Sequence, residues 1–283
     1  MENALCFEQN TFKKRVKSML KVDFSRMIKS RLFYIIVACA FAVPIVMAVM
    51  LTMMDGSVSV DPQTGKETVM DGPDYVWELI GDFPAEGDNT EASAGAGAGG
   101  MAAGGMDVLG MCNINLAFMG VAVFVCLFIS DDFKSGYAKN LFTVRAKKWD
   151  YIISKTLAGF TCGGAMLLAY LLGTLIGGAI TQLSFDLGVI SVGNVVMCML
   201  AKIFLMLVFV AIFTLISVAA KQRTWLSVCG SLGGGMIMFM MIPMLTPLTS
   251  TIMHAGMCLA GGLLFSLGLG AIGALILKKT RLV

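Results

Sequence analysis

Charged side chains are scarce in this chain. Only 14% of its 283 residues are Asp, Glu, Lys or Arg, and 57% are hydrophobic. A soluble domain carries about 25% charged residues. The mean hydropathy is +0.83. This composition excludes an ordinary soluble domain, and it predicts an integral membrane protein.

Patterns typical of metal sites and active sites are missing as well. His254 is the single histidine, and the eight cysteines stand singly without a Cys-x-x-Cys pair. No Gly-x4-Gly-Lys-Ser/Thr phosphate-binding loop occurs. We therefore expect no catalytic residues, no metal and no cofactor in this chain, and no enzymatic activity by the chain alone.

Long apolar runs make up most of the sequence. A helix needs about 20 apolar residues to cross the hydrocarbon core of a bilayer. Six runs are long enough, at 32–54, 108–129, 152–181, 193–220, 225–245 and 253–277. The sequence predicts an all-α membrane protein whose six transmembrane helices form one domain over 32–283.

The distribution of Lys and Arg divides the segments outside the predicted spans into two groups. Lys and Arg concentrate in the first 31 residues, the loop 130–151, the turn 221–224 and the C-terminus, whereas 55–107, 182–192 and 246–252 contain a single Lys. Lys and Arg accumulate on cytoplasmic flanks of membrane helices. We expect both termini in the cytoplasm, the loop 55–107 outside, and a multi-pass protein of a bacterial plasma membrane.

The segment 1–31 has its own periodicity. Apolar residues recur at helical spacing, and these are Phe12, Val16, Met19, Leu20, Phe24, Met27 and Ile28. The lysines of the opposite side are Lys13, Lys14, Lys17 and Lys21. This pattern predicts an amphipathic helix lying on the inner membrane surface. A solvated basic tail is the alternative interpretation.

Several apolar-run residues are candidates for packing or for a cavity. The pairs Gly159/Gly163, Gly173/Gly177 and Gly230/Gly234 have the spacing that lets membrane helices approach closely. Lys202 lies inside a predicted span. A charged side chain there faces a cavity or a partner. Alternatively, the lysine stem extends so that its amine reaches the membrane interface. Met236 and Met240 belong to a Met-rich run that could line an adaptable cavity.

The loop 130–151 joins two spans and carries both charge signs. Ser130 or Asp131 could begin a short helix, with Gly136 near its far end. The polar residues of this region are Asp131, Asp132, Lys134, Lys139, Asn140, Arg145 and Lys155. We expect a short polar helix at the membrane face, offering a surface for a soluble partner.

The stretch FISDDFKSGYAKNLFTVRAKKWDYIISK resembles the first cytoplasmic loop of bacterial ABC-transporter permeases of the type-2 export class. That loop has an acidic residue, a Gly, Lys-Asn-Leu, a basic residue and a final Lys, an order followed by Asp132, Gly136, Lys139, Asn140, Leu141, Arg145 and Lys155. Six spans, an amphipathic N-terminal helix and cytoplasmic termini match the same family.

The resemblance implies a membrane-spanning permease subunit of an ATP-driven exporter. Its loop 130–151 would be the coupling helix that contacts an ATPase subunit, present in two copies, which binds ATP and Mg. A second permease copy or a paralogue would complete the complex within the lipid bilayer, and no nucleic acid is expected. The implied substrate is amphipathic, such as a drug, a lipid or an antimicrobial peptide.

Two other classes of function remain open from the sequence. A sensory or receptor subunit would bind an extracellular peptide through the loop 55–107, which contains eleven acidic residues and one Lys. A secondary transporter or channel would need more acidic residues within the spans than the sequence contains.

Overall fold

The computed structural model describes residues 12–54, 57–60, 67–70, 73, 75–81, 113–143, 147–187, 190–221, 223–239 and 241–279. The helices are α1 (Phe12–Lys29), α2 (Arg31–Met54), α3 (Leu116–Lys134), α4 (Tyr137–Thr143), α5 (Lys148–Thr181), α6 (Val192–Ala220), α7 (Thr224–Phe239), α8 (Met241–Leu245) and α9 (Ile252–Lys279). A 3₁₀ helix covers Val76–Leu79, and β1 (Ser57–Val60) pairs antiparallel with β2 (Glu67–Met70).

The prediction of a mainly helical chain with several long apolar helices is confirmed. Five of the helices in the described ranges, α2, α3, α5, α6 and α9, are long and apolar enough to cross a membrane by length and composition. The predicted span 225–245 corresponds to α7 and α8, the described helices on either side of position 240. The small hairpin of β1 and β2 was not predicted, although β1, Ser57–Val60, alternates polar and apolar residues with the period of a strand.

Helix α3 corresponds to the predicted span 108–129 but extends five residues further, so the following loop starts later than predicted. It begins at Leu116 and continues to Lys134, so Ser130 and Asp131 belong to its last turns and do not begin a new helix. Gly136 then adopts a φ of 72°, a conformation open to glycine at little cost, and α4 begins directly after it. The expectation that Gly136 would end the short helix is therefore wrong: it precedes it.

Packing within the bundle relies on close approach between helices. Helix α2 lies along α5, α9 lies along α6, and α3 contacts α5, α6 and α7. A Cβ on Gly173 of α5 would overlap the carbonyl oxygen of Phe41 and lie 2.6 Å from Cγ of Pro44, both in α2. A Cβ on Gly177 would likewise lie 3.1 Å from the nearest α2 atoms. The predicted packing role of the Gly173/Gly177 pair is therefore confirmed.

A substitution at Gly173 tests this close contact. We expect Gly173→Ala to destabilise the protein by about 1–3 kcal/mol, because the added methyl group must push the α2 backbone away. Thermal unfolding of the purified protein in detergent should show a lower midpoint. Gly164→Ala in the same helix is the matched control, since a Cβ there meets nothing within 4 Å. Equal midpoints for the two variants would contradict the packing of α2 on α5.

Candidate functional site: a buried ion cluster

A buried ammonium group joins three helices at one end of the bundle. Lys155, in the second turn of α5, is 1% exposed. Its Nζ lies 2.7 Å from Oδ1 of Asp23 in α1 and 2.6 Å from Oδ2 of Asp132 in α3. Both carboxylates are fully buried. One cation thus holds together residues that are far apart in the sequence.

A second cation balances the charge of the cluster. Nη1 of Arg26, one helical turn after Asp23, lies 2.7 Å from Oδ1 of Asp132. Partial burial by itself lowers the pKa of Arg26, but the adjacent carboxylate of Asp132 offsets this and leaves the pKa raised. The two carboxylates, Lys155 and Arg26 form a neutral group of four charges, which we call the ion cluster.

Hydroxyl groups and aromatic rings surround the ion cluster. The hydroxyl of Tyr151 donates to Asp132 over 3.0 Å, and Oγ of Ser154 donates to Asp23 over 2.5 Å. Nζ of Lys155 lies 4.1 Å from the ring centre of Phe128, and the guanidinium of Arg26 lies 4.2 Å from that of Tyr137. Cations favour such ring faces because of the negative charge on the π system.

Helix α4 is in direct contact with this group. Tyr137 is its first residue, and burial together with the nearby Asp23 carboxylate raises the pKa of its phenol. Near the other end of α4, the ring of Phe142 packs edge-on against Tyr151 at 5.4 Å. The helix is therefore held at both ends by residues that belong to, or contact, the ion cluster.

A separate ion pair fastens α1 to the start of α5. Nε of Arg15 donates to Oδ2 of Asp150 over 3.0 Å, and the Asp150 side chain is 3% exposed. Helix α1 is thus bound to α5 at two levels, by this pair and by the ion cluster. A buried cluster of this kind is suited to holding segments in one arrangement and to transmitting a displacement from one to another.

The predicted loop residues fall into two groups in the structure. Asp132 and Lys155 are buried in the ion cluster, so the expectation that Asp132 is exposed on the surface of the loop is wrong, whereas a coupling role for the two residues stays a prediction. Asp131, Lys134, Lys139 and Asn140 are exposed, Gly136 is half-buried between α3 and α4, and Arg145 lies outside the described residues. The rings of Phe128 and Tyr151 lie against the first group.

Sequence reasoning missed the partners of Lys155. Asp23 is the only acidic residue in α1. It also lies at helical spacing from Leu20 and Met27, within the apolar face of that helix. A single carboxylate on an apolar face is the signal that could have indicated a buried ion pair.

Lys202 is buried within the chain and has polar partners there. Its Nζ donates to Oδ1 of Asn115 over 2.7 Å and to Oγ1 of Thr246 over 3.2 Å. It lies about 27 Å along α6 from Ala220 at 1.5 Å per residue. It lies about 15 Å from Val192 at the other end of the helix. The depth of Lys202 within a bilayer stays a prediction.

The two candidate cavity methionines receive no support as lining residues. Met236 is 48% exposed on α7. Met240 lies outside the described residues. The apolar cavity of about 340 Å³ between α2, α3 and α5 is lined by other side chains, among them Met119, Met166 and Tyr170.

Comparison with protein-family models, curated proteins and solved structures finds no match to this chain. The ion cluster, its contact with α4 and the helical architecture are therefore the observations on which a function can be proposed.

Removing the central cation tests the ion cluster. Lys155→Met leaves two buried carboxylates with Arg26 alone, and loss of one partner of a buried pair costs about 3–5 kcal/mol. We expect a sharply lower unfolding midpoint and a reduced yield of monodisperse protein. Lys139→Met is the matched control, because Lys139 is exposed.

A double variant separates lost charge balance from lost packing. Lys155→Met with Asp23→Asn leaves Asp132 and Arg26 as a balanced pair, whose atoms lie 2.7 Å apart, so we expect part of the stability to return. A double variant as unstable as the sum of the two single variants would show that the charges are not coupled.

Proposed function

We propose that this chain is the membrane-spanning permease subunit of an ATP-driven exporter for an amphipathic substrate such as a drug, a lipid or an antimicrobial peptide. A separate ATPase subunit would bind and hydrolyse ATP with Mg. The observation that carries the proposal is the contact between the short helix α4 and the ion cluster. Through this contact, a soluble partner that binds α4 would act on α1, α3 and α5 together.

The exposed side of α4 is the proposed docking surface. Lys139, Asn140 and Thr143 are exposed there, whereas Ala138 is buried beneath them. Lysine and asparagine side chains supply hydrogen-bond donors, and asparagine supplies an acceptor as well. An ATPase groove can bind such a surface without reaching the ion cluster underneath.

Movement of α4 would pass to the bundle through short contacts. A displacement of α4 acts on Arg26 through the ring of Tyr137 and on Asp132 through Phe142 and Tyr151. The charges of the ion cluster resist separation, because each would be left buried without a partner. In this proposal, ATP-driven closure of two ATPase subunits moves α1, α3 and α5 together and reorganises a path for the substrate between two permease subunits.

The membrane arrangement belongs to the same proposal. Helices α7 and α8 would together form a sixth span, and α1 would lie at the inner membrane surface of a bacterial cell with its exposed lysines, Lys14, Lys17 and Lys21, directed to headgroups. Both chain termini would then be cytoplasmic. The buried side of α1, which includes Met19 and Met27, packs towards the other helices.

Cysteine labelling tests this orientation. In a background whose native cysteines are replaced, a single cysteine at Lys139 should react with a membrane-impermeant maleimide only after cells are permeabilised. A cysteine at Asp186, which is exposed and follows the far end of α5, should react in intact cells. The reverse pattern would contradict the proposed orientation.

Charge reversal on α4 tests the coupling role. We expect Lys139→Glu with Asn140→Ala to leave the unfolding midpoint unchanged, since both residues are exposed. ATP hydrolysis in the complex purified from native membranes should fall at least about tenfold, the effect of losing about 1.4 kcal/mol of binding. Lys221→Glu, in another exposed turn, is the matched control. Wild-type protein that purifies without ATP hydrolysis would contradict the proposed function.

A further inference from the structure

A polar pocket lies beside the ion cluster and takes no part in it. It has a volume of about 250 Å³ and is bordered by the start of α2, the end of α3 and the start of α7. Its polar lining consists of Ser30, Ser130, Asp131, Lys134 and Thr224, and its apolar lining of Leu32, Leu127 and Phe128. Phe128 is also the ring beneath Lys155, so it borders both the pocket and the ion cluster.

Two hydroxyl groups in this pocket have no hydrogen-bond partner among the described residues. Ser130 is 1% exposed, and neither its Oγ nor the buried Oγ1 of Thr224 has a partner in the part of the chain that the structure describes. A buried polar atom without a partner costs about 1–3 kcal/mol. In a helix, a serine hydroxyl often bonds to the carbonyl four residues earlier, and Ser130 does not. A ligand with an oxygen or nitrogen atom in the pocket would satisfy these groups.

The pocket also contains two charged residues, Asp131 and Lys134. Asp131 and Lys134 are exposed, and neither makes an ion pair or side-chain hydrogen bond among the residues described. They stand on neighbouring turns of α3, so one pocket presents an anion and a cation side by side. This arrangement complements a ligand that carries both charges.

The helix ends reinforce the same division of charge. The N-terminal ends of α2 and α7 meet the pocket next to Ser30 and at Thr224, and helix N-termini favour anions. The C-terminal end of α3 meets it at Asp131 and Lys134, and helix C-termini favour cations. The N-terminal ends of α2 and α7 therefore add to Lys134 in favouring an anionic group, and the C-terminal end of α3 adds to Asp131 in favouring a cationic group.

The apolar lining and its surroundings point to a lipid. Leu32, Leu127 and Phe128 continue from the pocket along helices that are long and apolar enough to cross a membrane. Next to Thr224, Trp225 is 80% exposed, a position typical of a tryptophan at the membrane–water interface. The pocket thus combines a dipolar polar end with an apolar side suited to an acyl chain.

We infer that this pocket binds a phospholipid whose headgroup contains a phosphate and a primary ammonium group, as in phosphatidylethanolamine. The phosphate accepts hydrogen bonds from Thr224 and Ser130 and pairs with Lys134. The ammonium donates to the carboxylate of Asp131. A choline headgroup has no N–H to donate, and a glycerol headgroup has no cation. The inference does not depend on the proposed export function.

Lipid retention measured by native mass spectrometry tests this site. The full chain, purified in detergent, is mixed with equal amounts of phosphatidylethanolamine, phosphatidylcholine and phosphatidylglycerol that share the same acyl chains. We expect phosphatidylethanolamine to be retained about fivefold or more over each of the others. Equal retention of the three lipids, or preference for phosphatidylglycerol, would overturn the assignment.

Three variants locate the preference in the pocket. Asp131→Asn should reduce phosphatidylethanolamine to the level of phosphatidylcholine, and Lys134→Gln should weaken retention of all three lipids. Lys139→Gln is the control, because Lys139 is exposed and does not line the pocket. Wild-type selectivity in Asp131→Asn would overturn the assignment even if lipid still binds.

An isosteric variant distinguishes a binding role of the unpartnered hydroxyl from a merely structural defect. Thr224→Val removes the hydroxyl at nearly constant volume. It should raise the unfolding midpoint of the delipidated protein, because an unsatisfied polar atom is lost, and it should lower retention of phosphatidylethanolamine. Unchanged lipid retention with a raised midpoint would exclude Thr224 as a headgroup ligand.

Discussion

The contact between the Lys155 ammonium and two buried carboxylates is the constraint on which one end of the bundle depends. Each of these charges is removed from water, and each is compensated only when α1, α3 and α5 are correctly placed. Misplacing any one of the three helices leaves a charge unpaired in an apolar setting, which is costly. The ion cluster therefore fixes the position of α1, a helix whose remaining buried side chains, such as Met19 and Met27, are flexible.

Elsewhere in the bundle, close packing replaces ionic contacts. Lipid tails are as apolar as leucine, so apolar side chains alone give membrane helices little reason to associate. Gly173 and Gly177 let α2 approach the α5 backbone, and Gly262 brings α9 within reach of a carbonyl oxygen of α6. Near the opposite end, Lys202 is held by neutral oxygens of Asn115 and Thr246. The balanced group of four charges thus distinguishes the end at which α4 lies.

This arrangement has a consequence for the proposed coupling. Asp132 belongs to the ion cluster and holds α3 to α5. The adjacent Asp131 lies on the surface and lines the pocket. Phe128 borders both regions. A bound lipid headgroup and a docked soluble partner would therefore act on the same end of α3 from two sides.

The sequence by itself determined the membrane class, most of the long helices and the small-residue contacts, because these depend on composition and on spacing along one helix. It also indicated Lys155 and Asp132 as important, but it placed them on a surface. Only the tertiary structure brought Asp23 to Lys155, more than a hundred residues away in the chain. Burial and ion pairing depend on which helix covers a side chain, and no local pattern contains that information.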